Sequence, residues 1–125
     1  MRLLLDTHTV LWWLRDDPYL PQGARRAIGD IGNEAFVSAC VGYEIAYKQQ
    51  LGKLPPFRED LANRLRREGF VPLPISLDHA LAAARLPGPH RDPWDRIMIA
   101  QATIEQLQVV TIDRVFSDYG VPVIW

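Results

Sequence analysis

The chain has a single cysteine, Cys40, so no disulfide can close within it, and a reducing compartment suits it. Charge of one sign is also lacking: 14 Lys and Arg stand against 15 Asp and Glu, a net charge of −1 with neutral histidines. A general polyanion-binding surface is therefore not indicated. Affinity for nucleic acid has to come from local patches or from a bound metal. No apolar run approaches the ~20 residues that cross a membrane. Met1-Arg2 leads directly into a short apolar strand and then a charge, with no signal peptide visible, so a cytoplasmic location and no membrane partner are expected. His8, His79 and His90 show no close pairing such as H-x-x-x-H, which argues against a histidine zinc site. A glycine-rich phosphate loop, a G-x-S-x-G elbow and a local Cys-His signature are missing as well. Repeats, low-complexity tracts and linkers are absent, and Pro55-Pro56 and Pro87-Gly88-Pro89 read as turns. With 125 residues, 48% of them hydrophobic, one domain spanning 1–125 with its own core is expected.

What the chain does have is an alternation of short strands and helices. Strands are expected over 2–5, 35–37, 71–75, 109–112 and 121–125. Helices are expected over 9–15, 21–31, from a Ser38 cap to about 51, then over 57–68, 78–86, 94–107 and 115–119. Pro72 and Pro74 place the third strand at a sheet edge. The alternation implies an α/β fold, a small parallel sheet of order 3-2-1-4-5 with helices on both faces. Asp6 and Asp113 then end neighbouring strands at the topological switch.

Four acids fall at the edge where such sheets build sites. Asp6 closes Leu3-Leu4-Leu5, Asp113 closes Val109-Val110-Thr111-Ile112, Asp95 opens an apolar helix, and Glu44 lies early in another. Carboxylates crowded there repel one another unless a cation or protons sit among them, and an all-oxygen donor set suits Mg²⁺ or Mn²⁺. Each acid also has a plainer reading. Asp6 suits a helix cap, although Thr7-His8-Thr9 supply other caps. Glu44 and Lys48 have the spacing of an exposed helical ion pair. Asp92-Pro93-Trp94-Asp95 is a standard helix start, with both acids at the positive end of the dipole; Asp92 is assigned to capping or support and Asp95 to the metal. Asp113 can start the turn into Arg114-Val115.

Around the acids, Thr7 and Thr111 can orient a metal-bound water or a neighbouring carboxylate, or simply bond nearby backbone. Arg96 and Lys48 are candidates for the phosphate backbone or for an ion pair with the acids. Arg64, Arg66 and Arg67 read as a solvated helix face, and Arg91 joins Arg96 near the acidic edge. Cys40 reads as a buried filler, His79 as a helix-start residue and His90 as a turn residue.

Several segments together resemble a known family. They are Leu5-Asp6-Thr7-His8, then Tyr43-Glu44-Ile45-Ala46-Tyr47-Lys48 with Leu51-Gly52-Lys53-Leu54, then the run from His90 through Arg91-Asp92-Pro93-Trp94-Asp95-Arg96 to Ala102, then Thr111-Ile112-Asp113 and Val123-Ile124-Trp125. In that order, across the whole chain, they are similar to the PIN domains, and specifically to the VapC-type ribonuclease toxins. The resemblance implies a metal-dependent ribonuclease (Mg²⁺ or Mn²⁺) with Asp6, Glu44, Asp95 and Asp113 as its acids. It also implies products with a 5′ phosphate and a 3′ hydroxyl, an RNA substrate, a cognate antitoxin and a homodimer. Trp12, Trp13, Tyr43, Tyr47 and Phe57 are candidates for an apolar contact face, although most aromatic residues at helical spacing are core. Two departures stand out. Val41-Gly42-Tyr43 replaces the Ser-Leu-Trp often found before the glutamate, and Asp113 stands where many relatives carry asparagine with an acid further on, which makes Asp118 the second candidate.

Rival readings differ in residues the chain can be asked for. A receiver-like signalling domain needs an aspartate ending its third strand and a lysine ending its fifth; here the third strand ends Pro74-Ile75-Ser76, and no lysine follows Lys53. A non-catalytic module that docks RNA or protein has no need of the full acid set. A housekeeping RNA-processing nuclease has the same site as a toxin.

Overall fold

The computed structural model describes residues 1–125. In chain order the elements are β1 (Arg2–Leu5), α1 (Thr7–Leu14), α2 (Gln22–Gly29), β2 (Glu34–Ser38), α3 (Ala39–Gln50), α4 (Leu61–Arg67), β3 (Val71–Leu73), α5 (Leu77–Arg85), α6 (Pro93–Glu105), β4 (Gln108–Val110), α7 (Val115–Asp118) and β5 (Val123–Ile124). The strands form one parallel sheet in the order β3-β2-β1-β4-β5, as the alternation implies. β1 sits at its centre. Leu3, Leu4 and Leu5 are each fully buried. Successive strand side chains point to opposite faces, so three consecutive buried leucines require cover on both sides of the sheet.

β3 is an edge strand that pairs only with β2, opposite Phe36, Val37 and Ser38. Pro72 lies within it, where the outer side demands no amide donor. Several elements are shorter than expected, for local reasons. α4 starts at Leu61 and not at 57, because Asp60 caps it by accepting from the Asn63 amide at 3.3 Å. Phe57 packs against the core from outside any helix. α6 stops at Glu105, because Gln106 turns left-handed at φ 57°. A cluster of 26 buried side chains fills the space between sheet and helices, with Val10, Val41, Ile45, Ile99 and Phe116 brought in from α1, α3, α6 and α7.

Ser38 caps α3 as expected, accepting from the Cys40 amide at 3.1 Å. His79 begins α5 as expected and does more. Its Nδ1 accepts from the Ser76 amide at 3.0 Å while Ser76 Oγ accepts from the His79 amide at 3.1 Å, a reciprocal cap. No helix is long and apolar enough to cross a membrane.

Candidate active site

The carboxyl ends of β1 and β4 set the floor of an acidic cleft. Asp6 leaves β1 in extended conformation and caps α1, with Oδ1 accepting from the Thr9 amide at 3.0 Å. The Thr111 hydroxyl, beyond the end of β4, donates to its other oxygen, Oδ2. A threonine is the economical choice at position 111, because the same oxygen accepts from the Asp113 amide at 2.9 Å. Asp6 is thus both a cap and a site residue, pinned at each oxygen, and only 8% exposed. Each oxygen keeps a further lone pair for another partner.

Helices α3 and α6 bring the remaining walls. Glu44 comes from the second turn of α3, and Thr7 donates its hydroxyl to Glu44 Oε1 at 2.5 Å. Lys48, one turn on, sits 3.0 Å from Glu44 Oε2, so the expected ion pair exists alongside the site role. Burial pushes the Glu44 pKa up, but the Thr7 hydroxyl, Lys48 and His8 together outweigh it and the net shift is downward. Asp92 caps α6, accepting from the Trp94 amide at 2.9 Å and from the Asp95 amide at 3.4 Å. Asp95, one turn inside, receives His90 Nε2 at 2.9 Å on its Oδ2. Burial raises the Asp95 pKa, His90 opposes it, and the negative charges of Asp92 and Asp113 add to the rise.

All five carboxylates, Asp6, Glu44, Asp92, Asp95 and Asp113, line one cleft of 160 Å³ together with Thr7, His8 and Cys40. As arranged, no three of these side chains stand close enough to hold an ion between them. Glu44 is paired with Lys48, Asp95 with His90, and Asp113 Oδ1 accepts from the Val115 amide at 3.0 Å. The donor set is nevertheless all oxygen, which fits a hard divalent ion.

Asp118, the second candidate for the last acid, lines a separate neighbouring cleft with Leu86 to His90, Val115 and Tyr119, so Asp113 is the acid that faces the others. Thr7 and Thr111 both orient carboxylates. Arg96 makes no ion pair with the acids; its guanidinium donates to the carbonyls of Ala83 at 3.1 Å, His90 at 2.9 Å and Ala84 at 3.5 Å, and to Leu86. It fastens the segment after α5 that carries His90. Arg91 is exposed. The sequence reading also missed His90 and His8. His90 lies five residues before Asp95 across a helix start, a spacing no periodic rule singles out. Cys40 is buried as expected, yet it borders the cleft, and burial raises its thiol pKa.

Comparison with known proteins finds relatives of this chain. The family model described as PIN domain matches residues 3–122. Ribonuclease VapC22 of Mycobacterium tuberculosis is 29% identical over 118 residues, covering 90% of this chain and 87% of its own length. Ribonuclease VapC16 of the same organism is 41% identical over 64 residues, 49% of this chain and 44% of its own. The fold is similar to that in the crystal structure of VapBC2 from Rickettsia felis bound to a promoter DNA fragment, with a TM-score of 0.68 at 13% identity, covering 98% of this chain and 97% of that one. It is similar also to a chain of a toxin–antitoxin complex from Klebsiella pneumoniae, with a TM-score of 0.63 at 18% identity, covering 90% of this chain and 87% of that one.

Proposed function

Because the chain belongs to the PIN domain family, we propose that it is a metal-dependent ribonuclease that hydrolyses RNA phosphodiester bonds and serves as the toxin of a toxin–antitoxin pair. The observation that carries this reading is the meeting of Asp6, Glu44, Asp92, Asp95 and Asp113, from four separate parts of the chain, on one cleft at the carboxyl edge of the sheet. Such a concentration of negative charge repels a phosphate by itself, so the reading requires a cation between acids and substrate.

Asp6, Asp95, Asp113 and Glu44 are the residues that would hold Mg²⁺ or Mn²⁺. When bound, the ion supplies a water of lowered pKa and offsets charge on the phosphate under attack. The chain's own residues do the positioning. The Thr9 amide and the Thr111 hydroxyl lock the Asp6 carboxylate. Thr7 fixes Glu44, and His90 orients Asp95. Asp92 keeps the first turn of α6 intact beneath Asp95.

The ribonuclease names of the two relatives support RNA as substrate, and the complexes among the structural neighbours support a protein antitoxin. A homodimer belongs to the same proposal. The test is cleavage of a panel of structured RNAs with Mg²⁺ or Mn²⁺, with chelator and with Asp6→Asn. Cleavage that needs the metal and is lost in the variant is expected. RNA bound but never cut would instead favour a non-catalytic module. A gene for a small DNA-binding protein just upstream separates a toxin from a housekeeping nuclease.

A further inference from the structure

The acidic cleft continues outward into a row of aromatic rings. Trp94, on the cleft wall beside Asp92 and Asp95, lies 5.2 Å from Tyr43, centroid to centroid. Tyr43 lies 5.6 Å from Tyr47 with the two planes only 17° apart. Both tyrosines come from α3, one turn apart and so on one face. Tyr43 and Tyr47 are 52% and 50% exposed, so both are open to a partner from solvent. Glu44 and Lys48 repeat the same step immediately beside them, with the Lys48 ammonium 3.0 Å from the Glu44 carboxylate. Helix α3 therefore carries two parallel rows that lead away from the cleft, one aromatic and one charged.

We propose that Tyr43 and Tyr47 are a base-stacking platform that holds the nucleotides next to the scissile phosphate, with Lys48 beside the backbone they hang from. The inference rests on the ribonuclease reading above and assigns substrate-positioning residues to it. An unpaired strand presents flat bases along one edge and phosphates along the other, which matches the two rows. Every base has a π face, so a stacking platform fixes position without demanding sequence. The row starts at Trp94 inside the cleft, so a strand whose phosphate lies among the acids reaches Tyr43 first. Leu51, 50% exposed, extends the same face by one more turn and carries no π system. It separates stacking from general apolar docking.

The experiment compares wild type with Tyr43→Leu/Tyr47→Leu, which keeps apolar bulk and removes the rings, with Tyr43→Phe/Tyr47→Phe, which keeps the rings, and with Leu51→Ala. The probe is a fluorescein-labelled single-stranded RNA of mixed sequence, followed by Mn²⁺-dependent cleavage and by quenching of intrinsic fluorescence on binding. The leucine pair is expected to raise KM about tenfold or more with kcat within about twofold, the phenylalanine pair to restore KM, and Leu51→Ala to leave it unchanged. A leucine pair that cuts with wild-type KM overturns the platform. So does loss of self-association on gel filtration in both the leucine pair and Leu51→Ala at unchanged KM, which assigns the face to a second copy of the chain. If wild type cuts no RNA, the nuclease reading fails by itself. The platform then stands if quenching by RNA is lost in the leucine pair and retained in the phenylalanine pair, and falls if the variants bind alike.

Discussion

The Thr7 hydroxyl reaches Glu44 Oε1 at 2.5 Å, joining the first turn of α1 to the second turn of α3 across 37 positions of sequence. Without that bond Glu44 has only Lys48 as a partner, 3.0 Å from its other oxygen on the same helix. Thr7→Val keeps the shape and deletes the donor. Loss of one positioning bond of this kind lowers activity or metal affinity roughly 10- to 100-fold. Stability should change by only about 1 kcal/mol, because water can replace the donor at the half-buried Glu44. Steady-state cleavage and thermal melts check both, and Thr7→Ser should recover most of the rate.

Asp6 has two roles that substitution can separate. Asparagine caps a helix about as well as aspartate, so Asp6→Asn should melt within about 1 kcal/mol of wild type while its RNA cleavage falls to background. Asp6→Ala removes the cap as well and should lose about 1 kcal/mol more. Equal melting temperatures for the two variants would show that the Thr9 amide bond contributes nothing to stability.

The proposed metal binding at Asp95 would be linked to pH. Burial raises its pKa first, and Asp92 and Asp113 add to the rise against His90. In the metal-free protein a raised value contributes stability below the ordinary aspartate range and loses it as pH rises through the folded value. Glu44 has the opposite sign. Its value is lowered, so its contribution is present above the ordinary glutamate range and is lost as pH falls through the folded value. A divalent ion needs Asp95 ionised and competes with its proton. Mn²⁺ should therefore raise the melting temperature more at neutral pH than near about pH 5. His90→Ala removes the bond that lowers Asp95, and the acid limb of the pH–rate profile should move upward. A limb that stays in place would mean that Asp95 does not control it.

Arg96 should behave as a fastening and not as a substrate contact. Arg96→Ala frees four carbonyls, those of Ala83, Ala84, Leu86 and His90, and should lower stability by about 2 kcal/mol, or roughly 5–10 °C in melting temperature. Arg96→Lys should recover only part of this, since an ammonium cannot fork across so many acceptors. The salt dependence of KM should not change in either variant. A changed salt slope would put Arg96 on the RNA backbone after all.

Much of this molecule is written in local pattern. Strands and helices alternate, which requires a parallel sheet, and three consecutive leucines before Asp6 require the central place in it. The Asp92 cap, the Ser38 cap and the Glu44–Lys48 pair follow from spacings of one helical turn or less, and all three are present. The gathering of acids on one edge follows from topology, since every strand of a parallel sheet ends on the same side.

Tertiary structure alone decided which groups bond to which across that edge. Thr7 on Glu44, Thr111 on Asp6, His90 on Asp95 and Arg96 on the carbonyls at and after the end of α5 depend on helix orientation and on the path of one proline-rich loop. The same geometry places Asp113 on the cleft of the other acids, while α7 carries Asp118 round to another cleft. Periodicity specifies what lies along an element and which face is buried. It contains no information about angles between elements, and a hydrogen bond is made or lost within an ångström of such angles.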